Sequence, residues 1–281
     1  MSATIATLLR MASNRLADTS LTASLDAEIL LANVLEIPRS HLYARPEQIV
    51  EDRQVRLYAL LVVARSKGRP IAHITGSRDF WSLTLKVTPA TLIPRPETEL
   101  LVEEVLRIVP VGAHWYIADL GTGCGAIALS LAIERPNCKI VATDISKPAL
   151  DVARENADRL QIKNVEFLEG EWFIPVANRR FSVIVSNPPY IPNEDPHLRE
   201  GDLRFEPRLA LTGGPDGLAA IRKIVLRAPT HLDSGGTLLL EHGYDQAEGV
   251  RSLLAAAGFT DIHTALDLAG INRVSSGRFE E

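Results

Sequence analysis

Cysteine is nearly absent: Cys124 and Cys138 are the only two in 281 residues, and they form no CxxC pair. That scarcity excludes a disulfide framework and a structural zinc site, since both need clustered ligands and the seven histidines are dispersed. Long apolar runs are missing too. The stretches 57–64 and 126–133, the second broken by Ser130, fall well short of the ~18 to 20 apolar residues that cross a bilayer, so neither a transmembrane helix nor a membrane partner is expected. The start of the chain, with Arg10 and Arg15 among short apolar runs, lacks the basic, apolar, small-residue order of a secretory signal, which leaves a cytoplasmic address as the expectation. There is no basic excess: 30 Lys and Arg against 35 Asp and Glu leave a net charge of −5. A dedicated nucleic-acid binder would need a basic footprint, so no direct nucleic-acid binding is expected.

What is present is an ordinary globular composition, 46% apolar and 23% charged. A chain of 281 residues makes two domains, or one large one with an appendage, at ~100 to 200 residues per domain. The charge is divided unevenly, with 11 basic and 8 acidic side chains in residues 1–90 (+3) and 19 and 27 in residues 91–281 (−8). That split points to a mildly basic partner surface and an acidic site region.

The patterning changes along the chain. Ile5, Leu8, Leu9 and Ala12, then Leu25, Ile29, Leu30 and Val34, then Val55, Leu57, Leu60 and Leu61 follow helical spacing, punctuated by Pro38 and Pro46. Residues 1–75 read as a small helical domain for recognition or packing, because the block holds no chemical cluster. Alternation through Trp81, Leu83, Leu85 and Val87 predicts a β-hairpin within a linker at 76–93. Residues 94–281 then alternate strand-like and helix-like segments, the pattern of an α/β sheet with helices on both faces. Seven strands are predicted, at 115–120, 139–143, 164–168, 181–186, 236–241, 260–266 and 272–278. Helices are predicted at 124–134, at 147–160 behind a Ser146 cap with Pro148 in the first turn, at 215–230 and at 244–257. The stretch 191–214 is too long for a plain connection and reads as a lid or binding loop.

Two motifs carry chemistry. Asp119-Leu120-Gly121-Thr122-Gly123-Cys124-Gly125-Ala126 follows a strand and opens a helix. Alternate glycines let the backbone turn tightly and approach a ligand, and the helix start offers unpaired N–H groups. Asp144, at the end of the second strand, is positioned to accept hydrogen bonds from ribose hydroxyls. Together these predict an adenosine ligand. The G-x-G-x-x-A pattern also satisfies the dinucleotide fingerprint, so a nicotinamide enzyme stands as a rival. Asp119 favours S-adenosylmethionine, because a carboxylate repels pyrophosphate and attracts a sulfonium and an ammonium.

The second motif is Ser186-Asn187-Pro188-Pro189-Tyr190 after the apolar strand 181–185, at the edge where open α/β sheets bind ligands. Two prolines fix φ and donate no hydrogen bond, leaving rigid acceptors. The Asn187 side-chain carbonyl and the Pro188 backbone carbonyl can hold both hydrogens of a planar NH2 group, and Tyr190 can cover its flat face. Such a nitrogen is a poor nucleophile, and in-line positioning with polarised hydrogens is what it requires.

DLGTGCG (119–125), Asp144, EWF (171–173), SNPPY (186–190), RFEPRLAL (204–211) and LLLEHG (238–243), preceded by LIPRPETE (92–99), resemble the PrmC/HemK family of peptide chain release factor glutamine methyltransferases. The resemblance spans about residues 92–278, and the helical region is similar to that family's recognition domain. It implies a seven-stranded Rossmann-like S-adenosylmethionine-dependent methyltransferase domain joined to a small N-terminal helical domain by a β-hairpin. It also implies methyl transfer to the glutamine of the Gly-Gly-Gln loop of class 1 release factors, with S-adenosylhomocysteine as product. By position, Gly121, Thr122, Gly123, Cys124 and Gly125 would cradle the donor's methionine part, Asp144 its ribose, and Glu171 and Trp172 its adenine. Asn187 would touch donor and substrate, and Pro188, Pro189 and Tyr190 would bind the accepting glutamine. Cys124 and Glu171 depart from the family's commoner Thr and Asp.

Other residues have two readings each. Arg95 either lines the site mouth or belongs to a helix start, and Glu206 and Arg208 either order a lid or form an internal ion pair. His242 reads as structural, Arg179-Arg180 as a solvated turn. A DNA or RNA amino-group methyltransferase would use the same NPPY geometry on a flipped base, but no basic, aromatic-rich recognition segment is present; a silent translation-factor binder would need neither Asn187 nor the glycine loop.

Overall fold

The computed structural model describes residues 3–280; the extreme ends of the two expected domains, residues 1, 2 and 281, lie outside the described residues. Two compact units are present, Met1–Ser77 with Glu200–Phe205, and Arg78–Arg199 with Glu206–Glu281.

The first unit is built from helices α1 (Ile5–Leu16), α2 (Ala23–Leu35), α3 (Arg39–Ala44), α4 (Asp52–Ser66) and α5 (Ile71–Thr75), with a two-residue pairing of β1 (Ala3–Thr4) and β2 (Ile49–Val50). Thr4 caps α1 by accepting the Thr7 N–H at 3.3 Å. Ile5, Leu8, Leu16, Leu30, Leu31, Leu42, Tyr58 and Val62 form the buried core. The inward stripe of α4 differs from the expected one: Leu57 and Leu60 are 47% and 66% exposed, while Tyr58 and Val62 are buried. The cause is spacing, since Val55, Tyr58 and Val62 lie on one face and Tyr58 can turn inward because its hydroxyl donates to the Ala27 carbonyl at 3.0 Å. Leu25 is likewise 38% exposed rather than inward. Residues 200–205 join this unit through Arg65, which bonds Asp26 at 2.6 Å and Asp202 at 3.2 Å, and through Arg204, which donates to the Lys67 carbonyl at 3.3 Å.

A short hairpin follows, β3 (Ser77–Phe80) and β4 (Leu83–Lys86). The alternation therefore yields strand only to Lys86, not to Ile93, and Trp81 sits in the turn at φ +56° rather than in a strand. Leu83, Leu85 and Val87 are buried as alternation requires.

The rest of the second unit is α6 (Glu99–Ile108), β5 (Tyr116–Leu120), α7 (Ala126–Glu134), β6 (Lys139–Asp144), α8 (Lys147–Arg159), β7 (Val165–Glu169), β8 (Phe181–Ser186), α9 (Ala219–Arg227), β9 (Leu232–Glu241), α10 (Ala247–Ala256), β10 (Thr260–Leu266) and β11 (Asn272–Arg278). The last seven strands form one sheet in the order β7-β6-β5-β8-β9-β11-β10. Its β5, β6, β7, β8 and β9 are parallel, and β11 runs antiparallel to both of its neighbours, β9 and β10. All seven strands lie where the sequence expected them, with β9 starting four residues early. Ala118, Leu120, Ile184, Leu238 and Leu240 pack on Ile221 and Val225 of α9 and on Val250 and Leu254 of α10. Ile117, Val183, Val185 and Leu239 alternate with them, equally buried, on the other face. Ser146 caps α8, accepting the Ala149 N–H at 3.3 Å. Three helices start later than expected, because Cys124 and Gly125 belong to the loop before α7, 215–218 to a turn before α9, and 244–246 to a turn before α10. Among the described residues, no helix is long and apolar enough to cross a membrane.

Candidate active site

Strand register assembles the site. Leu120 of β5 pairs with Ser186 of β8, and Ser186 with Leu240 of β9. The next residues along, Gly121, Asn187 and Glu241, therefore emerge side by side at the carboxyl edge of three adjacent strands. On the other side Leu120 pairs with Thr143 of β6, which brings Asp144 beside Gly121. This is the point where the strand order reverses, β5 leading to β6 and the chain returning to β8, and open α/β sheets bind ligands there.

The glycine loop is held from below and behind. Gly121 and Thr122 donate their N–H groups to the Thr143 carbonyl at 2.8 and 3.0 Å. Asp119 is fully buried beneath the loop, its Oδ2 accepting the Thr122 hydroxyl at 2.6 Å and the Ala128 N–H at 3.2 Å. Burial pushes its carboxyl up to about 7. Asp119 Oδ1 has no hydrogen-bond partner. Asp144 closes the loop: its Oδ2 accepts the Gly123 N–H and its Oδ1 the Ser146 N–H, both at 2.8 Å. Burial raises the Asp144 carboxyl against the lowering effect of those two bonds.

A cavity of about 280 Å³ opens over this edge, walled by Gly121, Gly123, Asp144, Trp172, Asn187, Pro189 and Lys223 among others. Of the sequence-expected donor contacts, Gly121, Gly123, Asp144, Glu171, Trp172 and Asn187 line it. Asp119, Thr122, Cys124 and Gly125 do not: the structure buries them within or under the loop, and the reason is that the loop's alternate residues turn inward to be held. The Trp172 ring stands over the loop, 3.3 Å from where a Cβ on Gly121 would lie. Glu171 pairs with Lys223 of α9 at 2.8 Å.

At the Asn187 end, Pro188 is buried and Pro189 and Tyr190 are half-buried. Asn187 Nδ2 donates to Thr98 Oγ1 at 3.1 Å, and the Tyr190 hydroxyl donates to Glu241 Oε1 at 3.2 Å. Burial, chiefly, pushes the Glu241 carboxyl up to about 7, and raises the Tyr190 phenol. Pro188 and Tyr190 stand off the cavity wall that Asn187 and Pro189 reach.

The long connection 191–214 is structured by backbone bonds at both ends. Ile191 pairs with Leu211 and Gly213, each at 2.9 Å, and Asn193 donates to the Gly214 carbonyl at 2.9 Å. Pro207, Leu209, Ala210 and Thr212 from it wall the cavity. Glu206 is buried, accepts the Ile93 N–H at 2.8 Å and forms an ion pair with Arg95. Glu206 thus pairs with Arg95 rather than with Arg208, which is exposed. His242 is structural, with Ser275 Oγ and the Gly243 carbonyl each at 2.9 Å from its ring. Arg179 is a surface residue paired with Glu166, whereas Arg180 donates to the Leu232 carbonyl at 2.9 Å and is not merely solvated.

Sequence reasoning missed Thr98, Glu241, Lys223 and the turn Gly213-Gly214-Pro215-Asp216-Gly217. The turn alone carried a local signal, three glycines and a proline in five residues.

A glycine loop after the first strand, an acidic residue ending the second and Asn-Pro-Pro-Tyr ending the fourth, on this strand order, define a Rossmann-like methyltransferase that uses S-adenosylmethionine. The fold is that of a methyltransferase from Pyrococcus furiosus, which matches with a TM-score of 0.56 and 18% identity over 83% of this chain and all of that one. Residues 7–76 match the family described as "PrmC N-terminal domain", and residues 96–199 "Methyltransferase small domain". The chain is 49% identical over 266 residues to the release factor glutamine methyltransferase of Coxiella burnetii, covering 95% of each chain. It is 48% identical over 282 residues to that of Vibrio cholerae, covering 100% of this chain and 98% of that one. The chain belongs to the release factor glutamine methyltransferase family.

Proposed function

We propose that this chain methylates the side-chain amide nitrogen of the glutamine in the Gly-Gly-Gln loop of class 1 peptide chain release factors, from a cytoplasmic location and without binding nucleic acid directly. One observation carries the reading: a single cavity runs from the glycine loop and Asp144 to Asn187 and Pro189, so donor and acceptor ends share one chamber.

The residues fit S-adenosylmethionine. Side chains are missing from the loop where a ligand must approach its backbone, and the wall offers a carboxylate and an indole face. The unpartnered oxygen of Asp119 lies under the loop, suiting a cationic ligand above it. Bound there, S-adenosylmethionine supplies a methyl carbon made electrophilic by its sulfonium.

The chain's own residues do the rest. Gly121 and Gly123 admit the amino-acid part of the donor, Asp144 accepts its ribose hydroxyls through lone pairs not used by Gly123 and Ser146, and Trp172 flanks the adenine. Asn187 Oδ1 and the Pro188 carbonyl accept the two N–H groups of the substrate amide, Pro189 supports the rigid turn, and Tyr190 covers the amide face. Held this way, the nitrogen faces the methyl carbon at a fixed angle, which is what a delocalised lone pair requires. The N–C bond would form as the donor's S–CH3 bond breaks, with S-adenosylhomocysteine leaving as a neutral thioether, and the nitrogen would give one proton to solvent, so no side chain of high basicity is needed to take it. Residues 1–75 serve as the recognition domain and 94–281 as the catalytic one, linked by 76–93.

The test is methyl-labelled donor with intact release factor, with a factor whose Gly-Gly-Gln glutamine is replaced, and with oligonucleotides. Label on the intact factor alone is expected; label on nucleic acid overturns the reading. Asn187→Ala is expected to abolish transfer while calorimetry still detects donor binding.

A further inference from the structure

An asparagine amide has two ends of similar size and opposite hydrogen-bonding character, and a substrate NH2 can be held only by the carbonyl end. Something must therefore fix which end of Asn187 faces the substrate. Its Nδ2 donates to Thr98 Oγ1 at 3.1 Å. Thr98 is 4% exposed and ends the 3-10 turn that leads into α6. Glu241, a 1% exposed carboxylate at the end of β9, faces that hydroxyl; its Oε1 accepts the Tyr190 hydroxyl at 3.2 Å, and its buried Oε2 has no partner.

The direction of this chain follows from proton counting. When Glu241 is ionised it has no proton to give and a buried oxygen to satisfy, so the Thr98 proton turns toward it and the Thr98 oxygen is left as an acceptor. Only the Nδ2 end of Asn187 can satisfy it; a flipped amide would set Oδ1 against an oxygen whose proton is already committed. Flipping would also present NH2 to the substrate's NH2, donor against donor.

We propose that Thr98 and Glu241 are positioning residues for methyl transfer: they polarise a buried hydrogen-bond chain so that Asn187 always presents Oδ1 to the substrate nitrogen, and they hold the Tyr190 hydroxyl in the same network. This inference rests on the reading of Asn187 as the residue that holds the accepting amide. It accounts for two observations otherwise unconnected, a threonine buried at a helix start and a carboxylate buried at a strand end, both aimed at the NPPY segment.

The experiment compares Thr98→Val, Thr98→Ser and Glu241→Gln, with Asn187→Ala in parallel. Thr98→Val keeps the shape and removes the hydroxyl, and is expected to lower kcat about tenfold, the factor that follows from releasing one buried hydrogen bond. KM for the release factor and donor Kd should stay within about twofold of the parent, since neither measures the amide's polarity. Thr98→Ser restores the hydroxyl and should recover most of the parent kcat. In Glu241→Gln the new amide donates toward Thr98 and reverses the chain, so kcat falls at every pH. The parent kcat should drop as pH falls and Glu241 gains a proton it can donate; the groups facing it are the Thr98 and Tyr190 hydroxyls, Arg273 of β11 and Glu97. That acid limb should be missing in Glu241→Gln.

Thr98→Val with parental kcat overturns the inference, as does Thr98→Ser as slow as Thr98→Val, which would mark a packing role. If Thr98→Val does not fold, Glu241→Gln with a parental pH profile overturns it instead. Should Asn187→Ala turn over like the parent, the functional reading itself fails; if it is dead while Thr98→Val is not, only the positioning role does.

Discussion

Gly217→Ala offers a direct measure of how tightly the NPPY segment is braced. A Cβ on Gly217 would lie 2.2 Å from the Tyr190 carbonyl oxygen and 2.5 Å from Gln246 Nε2. A C–H group normally approaches a carbonyl oxygen to about 3.3–3.6 Å, so the Tyr190 backbone must retreat by about 1 Å. Gln246 cannot absorb the change, because its Nε2 donates to that same carbonyl at 2.9 Å. Three costs add: about 1–2 kcal/mol for an L side chain at φ +75°, about 1 kcal/mol for the loosened hydrogen bond, and about 1 kcal/mol or more for overpacking. The total is about 3–4 kcal/mol, which in a unit of this size lowers the melting temperature by about 6–16 °C at roughly 2–4 °C per kcal/mol. A 1 Å misplacement of positioning groups costs about 100-fold in rate, so kcat for methyl transfer should fall by that order. The assay is label transfer at saturating donor with a melt of each protein. Gly112→Ala is the control: its φ is +90° but its Cβ would meet nothing within 4 Å, so it should lose about 1–2 kcal/mol and keep its kcat. Parental turnover and melting in Gly217→Ala would refute the bracing argument.

Trp172→Ala should weaken donor binding about tenfold, the equivalent of about 1.4 kcal/mol for a lost aromatic face, and leave kcat at saturating donor within a few-fold; calorimetry giving a Kd within twofold of the parent would remove Trp172 from the adenine site. Asp119→Asn tests linkage. The folded carboxyl sits near 7 and the unfolded near 3.8, so between those values the native state holds a proton the unfolded state has released, and Asp119 makes stability fall as pH rises from about 4 to 7. Asparagine cannot titrate, so the melting difference between variant and parent should shift in favour of the variant from pH 5 to pH 8. Parallel pH profiles would show that Asp119 is ionised throughout.

What could be read from the sequence was what depends on local order. The seven strands follow from runs such as Phe181–Ser186 that are apolar on both faces, and the glycine loop from its position between a strand and a helix. The pairing of residues far apart could not be read. Thr98 and Glu241 look unremarkable in their own segments: Glu241 comes beside Asn187 because β8 and β9 are neighbours in register, and Thr98 reaches Asn187 from the turn before α6. Spacing also misled where a residue had an alternative: Tyr58 displaced Leu57 and Leu60 from the core because a hydroxyl–carbonyl bond let it be buried. Which residues of the glycine loop reach the cavity was equally hidden, since a loop that exposes Gly121 and Gly123 anchors Thr122 and Cys124 inward.

Two of the motifs that marked the chain, LIPRPETE and RFEPRLAL, turn out to be halves of one support. The Glu206 carboxylate joins them, taking the Ile93 N–H at 2.8 Å and pairing with Arg95 while fully buried. Its partners are backbone and guanidinium groups that precede Thr98 by a few residues, so the same clamp that fixes the start of α6 fixes where Thr98 reaches Asn187. On the other side of Glu206, Pro207, Leu209 and Ala210 form the cavity wall. A buried carboxylate stripped of its guanidinium costs several kcal/mol, and here that penalty would fall on both motifs together. Their joint presence in the sequence therefore reflects one structural requirement, that the Thr98–Asn187 contact and one wall of the cavity be referenced to a single ion pair.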